Sequence, residues 1–470
     1  MLSRSTLPRA RATSEFCRSE GRSDIIRRVK PATVVNPDSL LVRGLGTREL
    51  TAAIFNYTVG SGIFALPAFV VAQLGGAAPL AFLLCAVVTG LIALVFAEAG
   101  SRVTATGGPY AYVEVALGPF PGFIAAVLSI LCEITAAGAV GALVATLLAR
   151  VIGLSGWAWE GAIATVLIVG LAIINIRGVR TGAGVIEVAT VAKTIPLIAF
   201  VVIGAFFVSP ANLGWASMPS AGKVATTAGT LLFAFTGIEA ALLPSGEVRD
   251  PSRTVPRAAI LALACATVLY LAVQEVALGI LGPALAADRV APLATAAAVV
   301  AGAPGRALLI AGAAISMFGW LTGALLAGPR AIFALGRDGF LPRRVATVHP
   351  VFRTPHVAIA LYAALTLGFA LTGTFERLAV LADVSVLALW FLCAIAAWEL
   401  RRRDVRGDGK PFRTPGGPLV PVLACSAIAW VTWQTTTRRE LVAVGAVLLV
   451  SGFFYAFRAR QIRVLAADTP

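Results

Sequence analysis

Gly60, Ser61 and Gly62 stand together in "NYTVGSGIFALPAF" (56 to 69), with Pro67 five residues on, inside a stretch otherwise apolar enough to cross a membrane. A helix in lipid must satisfy its own backbone, and unwound peptide is tolerated at that depth only where it lines a cavity or is buried in protein. Residues this poor at forming helix therefore mark a place where the chain can come apart. The chemistry on offer is that of bare peptide groups. N–H groups at the start of the second half-helix favour an anion such as a carboxylate, and carbonyls at the end of the first favour a cation. A zwitterion suits both ends at once. Taken alone, Gly-Ser-Gly is more often a close-packing device between membrane helices.

A second stretch changes that balance. "LLFAFTGIEAALLP" (231 to 244) carries Thr236 and Gly237 near its middle and Pro244 at its end, five spans after the first and running the opposite way. Two Gly-interrupted helices in corresponding positions of two inverted halves point to the substrate site of a secondary transporter.

Charges inside apolar segments are the other candidates. Lys193 lies about ten residues into its span, in "VATVAKTIPLIAF". A charged Lys there costs about 2.5–3.5 kcal/mol on insertion scales, so it is paired, bathed in cavity water or uncharged. A static ion pair or a snorkelling side chain is its plainer reading. Glu133, in "LSILCEITAAG", is also deep: it faces the site, pairs with Lys193 or makes a structural hydrogen bond. Glu239, three residues past Thr236, is placed to cap the second half-helix. Glu275 and Asp383 are intramembrane too, but no motif places them near the site. Tyr110 and Tyr112 fall in a reentrant-looking loop, where they serve as an intracellular gate or, the plainer reading, as interfacial anchors.

These groups need a scaffold, and the composition supplies it. The 470 residues are 58% hydrophobic and 13% charged, with mean hydropathy +0.88, more apolar surface than a water-soluble chain can bury. Apolar runs of about 20 residues cross the hydrocarbon as helix. Twelve are expected, at about 49 to 73, 77 to 100, 119 to 149, 157 to 176, 184 to 208, 224 to 244, 257 to 281, 306 to 334, 355 to 373, 377 to 399, 418 to 436 and 440 to 457. The Ala-rich stretch from 284 to 301 reads as an interfacial helix. Residues 1 to 48, rich in Arg, Ser and Pro, read as a basic, disordered tail. With both termini in the cytoplasm, 30 of the 38 Lys and Arg fall on the inner side and seven outside, leaving Lys193 within a span. A net charge of +15 spread between apolar runs is no nucleic-acid surface. The six cysteines show no metal-ligand or disulfide spacing, and no nucleophile–histidine pair or phosphate loop supports an enzyme.

At this point the chain resembles the amino acid-polyamine-organocation (APC) superfamily, in its bacterial-type twelve-helix amino acid permease branch. "GSGIFALP" (60 to 67), "TGGPYAYVEVALGP" (106 to 119), "FAFTGIEAALLPSGEVRDPSRTVPRA" (233 to 258) and "GPRAIFALGRDGFLP" (328 to 342) carry the likeness, in family-like order and spacing. The resemblance implies an all-α integral membrane fold of LeuT type. Residues 49–208 would form one five-helix repeat and 224–399 its inverted partner, followed by two helices over 418–457 and a cytoplasmic C-terminus over 458–470. Helices one and six would be broken.

It further implies amino acid transport by alternating access. The substrate carboxylate would meet the amides of Ser61 and Gly62 beside Gly60. Its amino group would meet carbonyls of Thr58, Phe233 and Thr236 beside Gly237, with the Phe233 ring as gate. Some members place a span-five lysine where sodium-coupled relatives bind a sodium ion. Lys193 thus argues for a proton rather than sodium as coupling ion, with Glu133 and Glu239 as further proton-coupling candidates; no other cofactor or metal is implied. Gly246-Glu247 stands where many members carry two acids, and Phe233 stands where arginine antiporters have Trp, which argues against arginine–agmatine exchange. The expected partners are a small amino acid and the lipid of the cell (inner) membrane, in a multi-pass arrangement. The alternatives are an amine or polyamine carrier, and an amino acid sensor that binds without translocating.

Overall fold

The computed structural model describes residues 45–103, 107–177, 183–215, 217–242, 248–337, 340–406 and 410–467, with side chains for all of these except 183–190 and 458–467. The tail up to residue 44, Pro244, Gly246, Glu247 and Asp338 lie outside them. Among the described residues the only pairing of extended chain is an isolated parallel bridge between Leu45 and Val248. All other regular structure is helical, as expected of a chain that must satisfy its backbone within lipid.

The first membrane path is interrupted: α1 (Thr47–Thr58) stops and α2 (Gly62–Leu74) resumes after three residues. Then come α3 (Ala78–Arg102), a short α4 (Pro109–Leu117), α5 (Pro119–Val151), α6 (Trp157–Ile176) and α7 (Ala183–Gly204). A second interrupted path follows, α8 (Ala221–Leu231) and the four-residue α9 (Ile238–Ala241). The rest of the chain holds α10 (Pro251–Leu281), α11 (Pro292–Arg337), α12 (His356–Thr372), α13 (Phe375–Arg402), α14 (Leu419–Thr435) and α15 (Arg438–Ala467). Eight helical segments among the described residues are long and apolar enough to cross a membrane, joined by three shorter apolar ones. The protein is an all-helical membrane protein.

Burial orders these segments. The interrupted α8–α9 segment is the most enclosed of the eight, 72% buried, whereas α15 is 6% buried and presents most of its surface outward. An apolar helix exposed on nearly all sides belongs against lipid. Around the buried breaks, α10 packs on α1 and α3, and α8 on α3, while α5 packs on α6, α11 and α12. Helix α13 touches both groups, lying against α5 on one side and α3 and α8 on the other.

Two expectations change. Tyr110 and Tyr112 are not in a loop but in α4, and Tyr112 is fully buried, its ring 6.4 Å from that of Phe96. Tyr112 therefore packs in the core rather than anchoring at the interface, because α4 folds back against α5 and α13. The Ala-rich stretch is a 3₁₀ turn (Gly282–Ala287) followed by helix from Pro292. It joins the long part of α11 through a kink at Ala301 and Gly302.

One end of α3 carries a buried ionic strap. Glu98 pairs with Arg102 one turn on, at 3.0 Å, both side chains sealed from solvent. Its other oxygen accepts from the Thr414 amide at 3.1 Å and from the Thr414 hydroxyl. Arg102 also donates to the Val405 carbonyl at 3.0 Å, and Ser101 accepts from the Phe412 amide at 3.0 Å. The segment after α13 is thereby tied to α3.

Candidate functional site

The first break begins where Val59 leaves the helical region (φ −78°, ψ 76°). The Gly60 amide turns back onto the Thr58 carbonyl at 2.8 Å, and Phe64 N–H returns to Ser61 at 3.1 Å. Among the described residues the amides of Ser61, Gly62 and Ile63 find no acceptor, and the buried Ser61 hydroxyl has no partner. They are the orphan donors of a helix start. Unlike the donors of a surface helix, they are enclosed by protein.

The second break lies against the first, backbone on backbone. A Cβ on Gly62 would sit 2.7 Å from Ala234 Cα, so only glycine allows this approach. Gly237, at φ +127°, stands in a region that favours glycine, and a Cβ there would meet the Tyr57 carbonyl carbon at 2.7 Å. Between them Leu232–Ala234 winds as a 3₁₀ turn. The Thr236 hydroxyl donates to the Phe233 carbonyl at 3.0 Å. Among the described residues no donor reaches the Thr236 carbonyl. The Gly237 amide donates to Glu239 Oε1 at 3.0 Å, so Glu239 caps the second half-helix. Thr58, Gly60, Ser61, Gly62, Phe233, Thr236 and Gly237 thus gather at one crossing of two interrupted segments.

Tyr270 of α10, absent from the sequence-based site, joins these breaks. Its buried hydroxyl lies 2.7 Å from the Thr58 carbonyl and 2.8 Å from the Ala234 carbonyl, one on each interrupted segment. A hydroxyl carries one proton, so it donates to one of the two at a time. Its ring is held edge-to-face on Phe235, centroids 5.1 Å apart.

Lys193 comes to the same place from α7. Its side chain is 2% exposed, and Nζ donates to the Asn56 carbonyl at 2.6 Å. Among the described residues it forms no ion pair, so the alternative of a Glu133–Lys193 pair is not what the fold makes. Glu133 and Glu239 sit mid-bundle yet are only half-buried, and they lie within Coulombic range of each other.

Helix α13 contributes what the sequence left unplaced. Phe375 meets the Phe233 ring edge-to-face, centroids 5.5 Å apart. Asp383, two turns on, is 2% exposed beside the Phe233 amide, and the Trp390 indole N–H faces the Glu239 carboxylate. The spacing of seven to eight residues puts all three on one helical face. That periodicity is the signal that could have found them. Among the described residues no cluster of His, Cys, Asp or Glu is arranged to hold a metal.

The model of the family described as "Amino acid permease" matches residues 45–456, spanning both breaks and, among the described residues, α1 to all but the last turns of α15. The chain belongs to the amino acid permease family, within the APC superfamily. The permease is 29% identical over 413 residues to the serine/threonine exchanger SteT of Bacillus subtilis (strain 168), covering 85% of this chain and 92% of the relative. It is 30% identical over 437 residues to the methylthioribose transporter of the same organism, covering 86% and 93%. It is 26% identical over 444 residues to the branched-chain amino acid permease BcaP of Lactococcus lactis subsp. cremoris (strain MG1363), covering 89% and 95%. The permease is accordingly a multi-pass amino acid transporter or exchanger and not an enzyme.

Proposed function

We propose that this permease moves a free amino acid across the cell membrane by alternating access, as a proton-coupled or pH-regulated symporter or exchanger. In this reading twelve spans form two inverted five-helix halves, 49–208 and 224–399, with two further helices and both termini in the cytoplasm. The observation that carries it is the crossing of two interrupted segments, five spans apart, with amides at one break and a carbonyl at the other that find no partner among the described residues.

The substrate carboxylate is taken by the Ser61 and Gly62 amides at the start of α2, where N–H groups and helix dipole both favour negative charge. The ammonium is taken by the open Thr236 carbonyl. Phe233 O already accepts from Thr236 Oγ1, and Thr58 O from Gly60 N–H and Tyr270, so these two serve the ammonium only after those bonds rearrange. Phe233, braced by Phe375, closes over the side chain. Lys193 holds α7 to α1 through the Asn56 carbonyl, so gain or loss of its proton changes how α1 is tethered.

A second reading concerns the cargo. Relatives of near-equal similarity carry names with unlike substrates, serine or threonine in one and methylthioribose in the other. Asp383, Glu133 and Glu239 beside the second break favour a substrate with positive charge, including an amine without a carboxylate. A thermal-shift screen of the purified protein against the twenty amino acids and simple amines separates the two, since ligands of the folded state raise its apparent stability. The best binder is then followed into proteoliposomes. Stabilisation by no amino acid, or by amines alone, overturns the amino acid reading; binding without uptake leaves a sensor.

A further inference from the structure

A cavity of 460 Å³ opens between the end of α5, the start of α6, the turn before α11 and the α12–α13 turn. In the orientation proposed above it lies on the outer face. Thr146, Trp157, Glu160, Arg289, Phe375 and Glu376 are among its walls. Its volume falls in the range of small-molecule sites, about 300–1,000 Å³, and its mostly apolar wall with a few charged groups fits that class.

The charged groups are not consumed by the fold. Glu160 and Glu376 lie in the first turns of α6 and α13, where acids commonly serve a helix start. Here Thr374 caps α13 through its hydroxyl, accepting from the Arg377 amide. Glu160 is turned away from its own helix and accepts from Thr146 Oγ1 at 2.9 Å. Arg289 and Glu376 meet at 3.6 Å with side chains 54% and 38% exposed. A solvated pair of this kind holds weakly, so a ligand bearing both charges can open it. Arg289 itself is presented by a firm turn: Asp288 accepts from the Val290 and Ala291 amides, from Thr295 and from Arg150 at 2.7 Å. The Trp157 indole donates to the Leu371 carbonyl at 3.3 Å and lays an aromatic wall at the mouth. Phe375 is shared, lining this cavity while touching the Phe233 ring at the breaks.

We propose that this cavity is a second binding site for a free zwitterionic amino acid, its carboxylate on Arg289 and its ammonium on Glu160 and Glu376. The ligand waits there behind Phe375 before it reaches the breaks. The choice of an amino acid rests on the transport reading above; the cavity and its charges do not. An ethanolamine lipid headgroup shares this chemistry, so the lipid must be varied in the test.

The experiment uses the full chain in phosphatidylcholine nanodiscs, with radiolabelled L-serine, L-leucine and L-lysine as probes in equilibrium binding. The expected result is saturation at two equivalents per chain for at least one probe, falling to one in the Glu160→Gln, Arg289→Gln double variant. In oriented proteoliposomes that variant raises the half-saturating concentration several-fold from the outer side and leaves the inner side unchanged. A single equivalent that the double variant retains, or a double variant that still binds two, overturns the proposal. Loss of the second equivalent when phosphatidylethanolamine is added assigns the cavity to lipid and overturns it as well. Binding at one equivalent that the double variant abolishes, with no uptake of any probe, sinks the transport reading and leaves the cavity site standing.

Discussion

The Tyr270 hydroxyl stands 2.7 Å from the Thr58 carbonyl, at the point where the first membrane path ends its first half-helix. The same oxygen is 2.8 Å from Ala234 on the other interrupted segment, so one side chain spans both breaks with one proton. Tyr270→Phe keeps the ring on Phe235 and removes only that link. Leaving a buried acceptor unmet costs about 1–3 kcal/mol. Uptake is expected to fall about tenfold or more, with a modest drop in melting temperature. Uptake at the unsubstituted level would show that the two carbonyls need no common donor.

Gly62 and Gly237 at the crossing leave no room for a side chain. Gly62→Ala drives a Cβ to 2.7 Å from Ala234 backbone, and Gly237→Ala combines the same clash at Tyr57 with a strained φ. Overpacking of this kind costs about 1–3 kcal/mol and forces backbone shifts. Both variants should insert in the membrane yet lose transport, with Gly237→Ala the less stable by thermal denaturation. Gly323→Ala, whose Cβ meets nothing within 4 Å, is the matched control and should transport normally.

Lys193→Met keeps the apolar stem and removes the donor to Asn56 O. Substrate binding should survive, because Lys193 lies outside the cradle formed by Ser61 and Gly62. The pH dependence of uptake should flatten. A variant with an unaltered pH profile would remove Lys193 from coupling and leave it a structural tether.

Asp288 gives a signed pH prediction. Burial pushes its carboxyl up, but the Arg150 guanidinium, the Ala291 and Val290 amides and the Thr295 hydroxyl together hold it below the ordinary value of 3.8. A depressed carboxyl stabilises the folded state above pH 3.8, and that contribution disappears as pH falls through the lower, folded value. Arg150 is 46% exposed, so the discounted contribution is about 1 kcal/mol. Melting temperatures of the unsubstituted protein and Asp288→Asn should differ near neutrality and converge in acid.

Glu98→Ala tests the strap on α3. It takes the nearer, buried carboxylate from Arg102, leaving only the half-exposed Asp404 at 3.9 Å, and frees the Thr414 amide and hydroxyl. Breaking a buried pair from one side costs about 3–5 kcal/mol. A large fall in melting temperature is expected, with faster proteolysis between α13 and α14. An unchanged melting temperature would mean that water replaces the carboxylate at no cost.

Both breaks were legible in the chain because conformational preference is local. Gly60, Gly62 and Gly237 announce where a helix can open whatever surrounds them, and the apolar runs announce the helices by length alone. Tyr270 gave no such notice, and the spacing of Phe375, Asp383 and Trp390 announced only a shared helical face, not what that face meets. An aromatic or acid in a membrane helix has the same local character whether it faces a break, another helix or lipid. Tyr112 shows the error running the other way: a tyrosine near a membrane edge suggests an anchor, and only the return of α4 onto α5 and α13 buries it.

The amino acid sequence by itself determined that this is a helical membrane protein with two segments prepared to open, since those properties follow from residue type and short-range spacing. Tertiary structure decided which groups meet the opened backbone. The crossing of Gly62 over Ala234, the Tyr270 proton between two carbonyls and the Lys193 bond to Asn56 join residues 36 to 212 positions apart along the chain. Pairings at that range depend on how helices pack, which no local pattern records.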